Sequence, residues 1–386
     1  MRARAARAGA VAFGAALPLP LVASLAALAM ALLDQPAAAA AGDAPAVAAG
    51  AGVSTGGGLD DEASPDAGGR WHNSILQLDQ SVTTQTVHIG DDYQSANPTY
   101  ELWLAVKPRY YLFETPVHSL NINLWANLFL ELTNSDTTTR ERQITFGPTY
   151  LTAPYSRVVV DGWTAQTTVT LGPRLTLPSD NGAWSSGQLI GAGAVAELAQ
   201  TLPLRGRRAA FLRTARLAAS AIYTHSFTRA TSAYDPDLYV LRQDVAGRPL
   251  VSHILRGGAM VHDAVSLTLA GSVAVTRRLE VSASYTLLDT WIYGVSEACV
   301  ATLTGCTIPS GVTDPTTFGV KTWLVFAASY RALAELSIDA GYYNLANQIG
   351  PDGQRREPLW SPAARFYLTL TAHLDPIVRR LAARRH

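Results

Sequence analysis

Charge of neither sign is in excess: 30 Lys and Arg balance 30 Asp and Glu, for a formal net charge of zero. A chain without a basic surplus has no electrostatic footprint for nucleic acid, and none for an acidic partner. Long apolar runs are also missing beyond residue 33, and mean hydropathy is close to zero. That excludes membrane-spanning helices in the main body. It does not exclude spanning strands, in which apolar and polar residues alternate and average out. Cysteine is scarce. Cys299 and Cys306 are the only two, seven positions apart, with no histidine near them. Two thiols are half of a zinc site at best. In a secreted chain they read as a local disulfide closing a loop. No G-x-S-x-G, H-E-x-x-H, Walker loop or C-x-x-C occurs, so the familiar motifs supply no catalytic residue, cofactor or metal.

What is present is alternation, clearest over residues 264–293. Val265, Leu267, Leu269, Val273 and Val275 share one face, while Ser266, Thr268, Ala270, Ser272 and Ala274 share the other. Thr276-Arg277-Arg278 reverses the chain. Leu279, Val281, Ala283, Tyr285 and Leu287 then oppose Glu280, Ser282, Ser284 and Thr286. Successive side chains on a strand point to opposite faces, so this is a β-hairpin with one apolar and one small polar face. A soluble sandwich alternates in the same way. Strand length, loop lengths and the N-terminus separate the two readings.

The N-terminus carries Arg2, Arg4 and Arg7, an apolar run to about Leu33 and a small-residue stretch ending near Ala41. This is the pattern of a secretory signal peptide, residues 1–41, with a retained anchor helix as the alternative. Residues 42–70 are dominated by Ala, Gly, Asp and Ser, with a GGG run. They lack the large apolar groups that offset ordering entropy and read as a flexible linker.

From residue 71 the alternation recurs. Strands are expected at 73–87, 99–112, 119–132, 143–152, 163–177, 188–202, 217–228, the hairpin 264–293, 318–330, 334–346 and 363–374. Residues 119–132 put Leu120, Ile122, Leu124, Ala126, Leu128, Leu130 and Leu132 on one face. Asn121, Asn123, Trp125, Asn127, Phe129 and Glu131 take the other. That length exceeds the usual soluble strand of about five or six residues and suffices to cross a tilted bilayer, which takes about 9–11. In 143–152 the pair Gly147-Pro148 interrupts the ladder, and 155–162 is its continuation or a turn. Arg205, Arg207, Arg208, Arg213 and Arg216 read as a turn touching lipid headgroups, or as a short amphipathic helix.

Twelve strands result, joined alternately by long polar and short connections, with both termini on the short-connection side. Tyr100, Tyr110, Trp163, Tyr285, Tyr293, Tyr330 and Tyr342 recur near strand ends, where aromatic girdles sit. In this pattern the chain resembles the bacterial outer-membrane β-barrel class. The resemblance implies an all-β, transmembrane, antiparallel up-and-down barrel over residues 71–374, in the outer membrane of a Gram-negative cell, followed by a basic tail, 375–386. Its partners would be the lipid bilayer and a small polar solute. The chain departs from the class in one respect. Its last strand ends at Leu374 and twelve more residues follow, whereas such barrels commonly end on a terminal aromatic.

Glu101, Lys107, Arg109, Glu131, Arg174, Glu197, Glu280, Glu335, Asp339 and Arg365 fall on the inward face of this scheme. They are the candidate lumen lining, with the expected function a porin-like channel in which charge placement sets selectivity. The same charges can pair across the lumen and plug it, leaving a structural or ligand-binding barrel. A third reading follows from a resemblance to the twelve-stranded outer-membrane phospholipases, which use a serine and a histidine. Its trace here is His225-Ser226, but adjacent strand residues face opposite sides and cannot share a proton directly. His253 and His262 read as isolated, solvated or girdle residues rather than ligands.

Overall fold

The structure, a computed structural model, describes residues 70–84, 99–133, 142, 144–162, 165–180, 183, 187–204, 212–229, 239–243, 249–253, 260–293, 300–302, 305–307, 317–348, 357–361 and 364–383. The expected signal peptide, all of the expected linker except Arg70, and Trp163 lie outside the described residues.

Alternation of faces translates directly into strands. They are β1 (Ile75–Thr83), β2 (Tyr100–Lys107), β3 (Arg109–Glu114), β4 (His118–Glu131), β5 (Ile144–Phe146), β6 (Thr149–Thr152), β7 (Tyr155–Asp161), β8 (Gln166–Leu177), β9 (Gln188–Pro203) and β10 (Thr214–Thr228). After them come β11 (Tyr239–Gln243), β12 (Pro249–His253), β13 (Val261–Ala274), β14 (Leu279–Ile292), β15 (Val300–Thr302), β16 (Gly305–Thr307), β17 (Phe318–Leu333), β18 (Leu336–Asn347) and β19 (Arg365–His373). One helix, α1 (Leu374–Ala383), follows. Among the described residues no helix is long and apolar enough to cross a membrane, so any crossing is made by strands.

Every pairing in the main sheet is antiparallel, and the sheet closes on itself. β1 pairs with β19 on one side and β2 on the other, and β2 pairs with β4. Two staves are broken in sequence but continuous in space. Pro108 has no N–H to donate, and it separates β2 from β3. Its carbonyl still accepts from Leu124 N at 3.2 Å, and both pieces pair with β4. Gly147-Pro148 and Ala153-Pro154 divide the next stave into β5, β6 and β7, all paired with β4. So 155–162 continues the strand instead of turning. At 147 a Cβ would sit 2.2 Å from the Phe129 ring, so any larger residue there forces that ring to move. Counted as staves, the closed sheet has twelve strands. Closure leaves no row of unpaired backbone groups, which lipid could not satisfy.

The two faces separate as the alternation requires. In the hairpin β13–β14, Leu269 is 59% exposed and Val281 48%, while Thr268 is 5% and Glu280 3%. Thr268 and Thr286 meet on the inner side at 2.8 Å. Exposed apolar side chains recur outward around the sheet, among them Ile122, Leu171, Leu217, Phe326 and Leu368. An exposed apolar band of this extent is unfavourable in water and fits hydrocarbon.

The connections 115–117, 162–165, 204–213, 275–278 and 334–335 are at one end, with both ends of the sheet. The remaining connections, most of them longer, join the strands at the other. Two of these carry separate two-stranded hairpins, β11–β12 and β15–β16. The expected disulfide involves Cys299, outside the described residues; Cys306 lies on β16. At the long-connection end, residues 357–361 fold against the outer side of β18. Tyr342 donates to Leu359 O at 2.6 Å and Asn344 Nδ2 to Pro358 O at 2.9 Å, with Ser361 Oγ on Asn344 Oδ1 at 2.5 Å. At the opposite end, residues 374–383 form α1 where a tail was expected. Asn73 N donates to the Asp375 carboxylate at 2.5 Å, at the first turn of the helix, and Leu374 N donates to Ser74 O.

Candidate functional site: the inward face of the closed sheet

Strand register decides which inward side chains share a level. Arg109 on β3 faces Asn123 on β4, Asn123 faces Thr152 on β6, and Thr152 faces Arg174 on β8. Arg109 Nε donates to Asn123 Oδ1 at 2.8 Å. Aromatic rings support the cations of this arc. The Arg174 guanidinium lies 4.1 Å from the centre of the Tyr150 ring and Lys107 Nζ 3.8 Å from the centre of Trp125. Those two rings contact each other edge to face. A ring face is an electron-rich surface that holds a cation without neutralising it, so this arc stays basic.

A second level has the opposite sign. Asp79 on β1 faces Thr369 on β19, Thr369 faces Asp339 on β18, Asp339 faces Ser329 on β17, and Ser329 faces Glu280 on β14. Three carboxylates thus alternate with hydroxyls along one register row. Thr369 Oγ1 donates to Asp79 at 2.5 Å. The two arcs are adjacent on one side, at β1 and β2, and are separated by β9, β10 and β13 on the other.

Paired charges sit where the arcs meet and in the gap between them. Arg365 on β19 donates to both oxygens of Glu101 on β2 and to Ser81 Oγ. Arg216 on β10 donates to Glu197 on β9 at 2.7 Å. Arg216 was expected in a headgroup-contacting turn. The strand begins earlier than the apolar pattern suggests, at Thr214, and this turns the guanidinium inward to its partner. Of that basic run Arg205, Arg207 and Arg208 lie outside the described residues, and Arg213 precedes β10.

The structure brings most of the candidate lining together and moves one member. Glu101, Lys107, Arg109, Glu131, Arg174, Glu280, Asp339 and Arg365 all occupy inward register positions, with Glu131 buried at the long-connection end of β4. Glu335 does not. It lies in the β17–β18 turn, and its carboxylate pairs with Arg380 on α1, so it ties the helix to the short-connection rim. Asp79, Lys321 and Arg331 share the inward face and were not picked out from sequence. Period-2 parity on β1 would have found Asp79.

His262 is not isolated, contrary to expectation. Its Nδ1 is 2.5 Å from the Asp263 carboxylate, which His225 Nδ1 also reaches at 2.8 Å. His253 lies on β12. Ser226 faces the side opposite to His225, since the two take successive partners, Gly191 and Ala192, on β9.

A closed antiparallel sheet with an apolar outer band and a polar, charged inner face defines a membrane-spanning β-barrel of the bacterial outer-membrane class. Among solved structures the chain is similar to an outer membrane channel from Pseudomonas putida F1, at 11% identity and a TM-score of 0.42, over 78% of this chain and 94% of that one. It is also similar to a toluene transporter, TodX, from Pseudomonas putida, at 12% identity and a TM-score of 0.32, over 80% and 88%. A third similarity is to the NanC porin, at 9% identity and a TM-score of 0.34, over 77% and 98%. No family model and no curated protein matches the chain. The class assignment rests on this chain's own closed sheet and two-faced strands.

Proposed function

We propose that the protein is a porin-like channel that passes small polar solutes across the outer membrane and selects among them by charge. The observation that carries this reading is the segregation of the two register rows. Three carboxylates line one arc of the wall, and three cations line another, two of them, Lys107 and Arg174, resting on aromatic rings. Opposite charges held on separate arcs set up a field across the lumen. Such a field orients a dipolar or zwitterionic solute and discriminates between ions, as charged constrictions do in known pores. If the inward charges served only to plug the barrel, mutual pairing would be the better arrangement. Arg365–Glu101 and Arg216–Glu197 are paired in that way, whereas Lys107 and Arg174 lie against aromatic rings.

The test is planar-bilayer conductance of the refolded protein. Discrete, stable, ohmic steps are the expected result. A folded, heat-modifiable barrel without conductance would sink the channel reading and leave a closed structural or ligand-binding barrel. The hydrolase reading receives no support from geometry. His225 finds a carboxylate in Asp263, but Ser226, the nucleophile that reading requires, faces away from both.

A further inference from the structure

His225, His262 and Asp263 form a compact group at the long-connection rim, on the lipid-facing side of the wall and away from the charged lumen. Asp263 and His225 are direct register partners across β13 and β10, with the same parity as the exposed Leu217, Tyr223 and Leu269. His262 is next in sequence to Asp263 and would ordinarily point inward. The register between β13 and β14 shifts between Val261 and Asp263, so an irregularity sits at this residue. The His262 ring is thereby placed against Tyr293 and beside Asp263. One ligand-capable atom from each of the three residues lies within 4.8 Å of the others. Among the described residues no second group of three histidine, cysteine or carboxylate side chains converges in this way.

We propose that these three residues bind one divalent transition-metal ion, of the zinc, nickel or copper class. Two imidazoles and one carboxylate are the donor set such ions prefer, and oxygen-seeking calcium or magnesium does not suit it. Three protein ligands leave a fourth position open for water. The surroundings fit this role. Tyr223 Oη donates to Asp263 Oδ1 at 2.6 Å, a contact that orients the carboxylate as hydrogen bonds beyond a metal's own ligands commonly do. The side chains are about a quarter to a third exposed, so an ion can reach them from the rim. A bound ion would also clip β10 to β13 where the long connection 229–260 leaves the wall. The competing account is a metal-free hydrogen-bonded group, in which both imidazoles simply donate to Asp263.

The experiment is a titration of the folded full-length protein in detergent with zinc chloride, followed by calorimetry. About one equivalent should bind saturably. His225→Gln and His262→Gln, each checked for heat-modifiable migration, should weaken that binding by at least tenfold. X-ray absorption of the zinc-loaded unmodified protein should count two imidazole nitrogens, a readout that does not depend on any variant folding. No saturable binding, equal binding in both variants, or fewer than two imidazoles would each overturn the proposal. The outcome is independent of whether the barrel conducts.

Discussion

Arg365 and Glu101 are 264 positions apart in sequence, yet the guanidinium holds both carboxylate oxygens. The pair spans β1 from above, joining the last strand to the second, with Ser81 of β1 between them as a third partner. It therefore sits on the seam where the sheet closes.

Glu101→Gln should loosen that seam. The substitution leaves an arginine without its counter-charge on a wall that is mostly shielded from water. Removing one member of a fully buried pair costs about 3–5 kcal/mol, and the partial exposure of these side chains, 19% and 15%, reduces this to roughly 2 kcal/mol. Unfolding in urea from detergent or lipid should show the loss. The double variant Glu101→Gln, Arg365→Gln should recover part of it, because no charge is then stranded.

Charge reversal on the two arcs should move ion selectivity in opposite directions. Lys107→Glu and Arg174→Glu each remove a cation from the basic arc and add an anion. Asp339→Lys does the reverse on the acidic arc. Reversal potentials under a salt gradient should shift toward cation preference in the first two and toward anion preference in the third. Unchanged potentials in all three would mean that ions do not pass these residues.

Leu269→Arg should be much worse than Leu269→Ser. The side chain is exposed near the middle of β13, on the face assigned to hydrocarbon. An arginine at the bilayer midplane costs about 2–4 kcal/mol, falling toward zero at the interfaces. Refolding yield into lipid vesicles, read by heat-modifiable migration, checks it. Equal yields would show that Leu269 does not face lipid.

Gly193→Ala should disrupt the β9–β10 pairing. A Cβ at 193 would sit 1.8 Å from Tyr223 O, a backbone atom that cannot swing aside. Separating the strands enough to admit the methyl group costs roughly 1–3 kcal/mol. Denaturant midpoints of the purified barrel should fall accordingly, and Ala194→Gly, one residue on, serves as the control.

The twelve staves were legible in the sequence because a strand's faces follow from local periodicity, which needs no knowledge of neighbours. That is why 264–293 and 119–132 were placed within a few residues of their observed bounds. The break at Gly147-Pro148 was visible too, but whether the chain continued past it depended on β4, whose hydrogen bonds bridge it; the breaks at Pro108 and Pro154 emerge only in the structure. Strand starts set by polar residues were missed for a related reason. Thr214 and Arg216 carry no apolar signal, and Arg216 takes the inward parity, opposite to that of the exposed Leu217, once the strand starts at Thr214; there it reaches Glu197.

Sequence by itself determined that the chain forms strands, which residues share a face, and that the outward face is apolar, since alternation is a property of each strand alone. Only the tertiary structure decided the register. Register put Asp79, Asp339 and Glu280 in one row and Arg109 and Arg174 in another. It joined Arg365 to Glu101 across the seam, and it brought His225 to Asp263. These groupings depend on how far each strand slides along its neighbour. That offset is fixed by the closing of the whole sheet, not by any one strand's pattern.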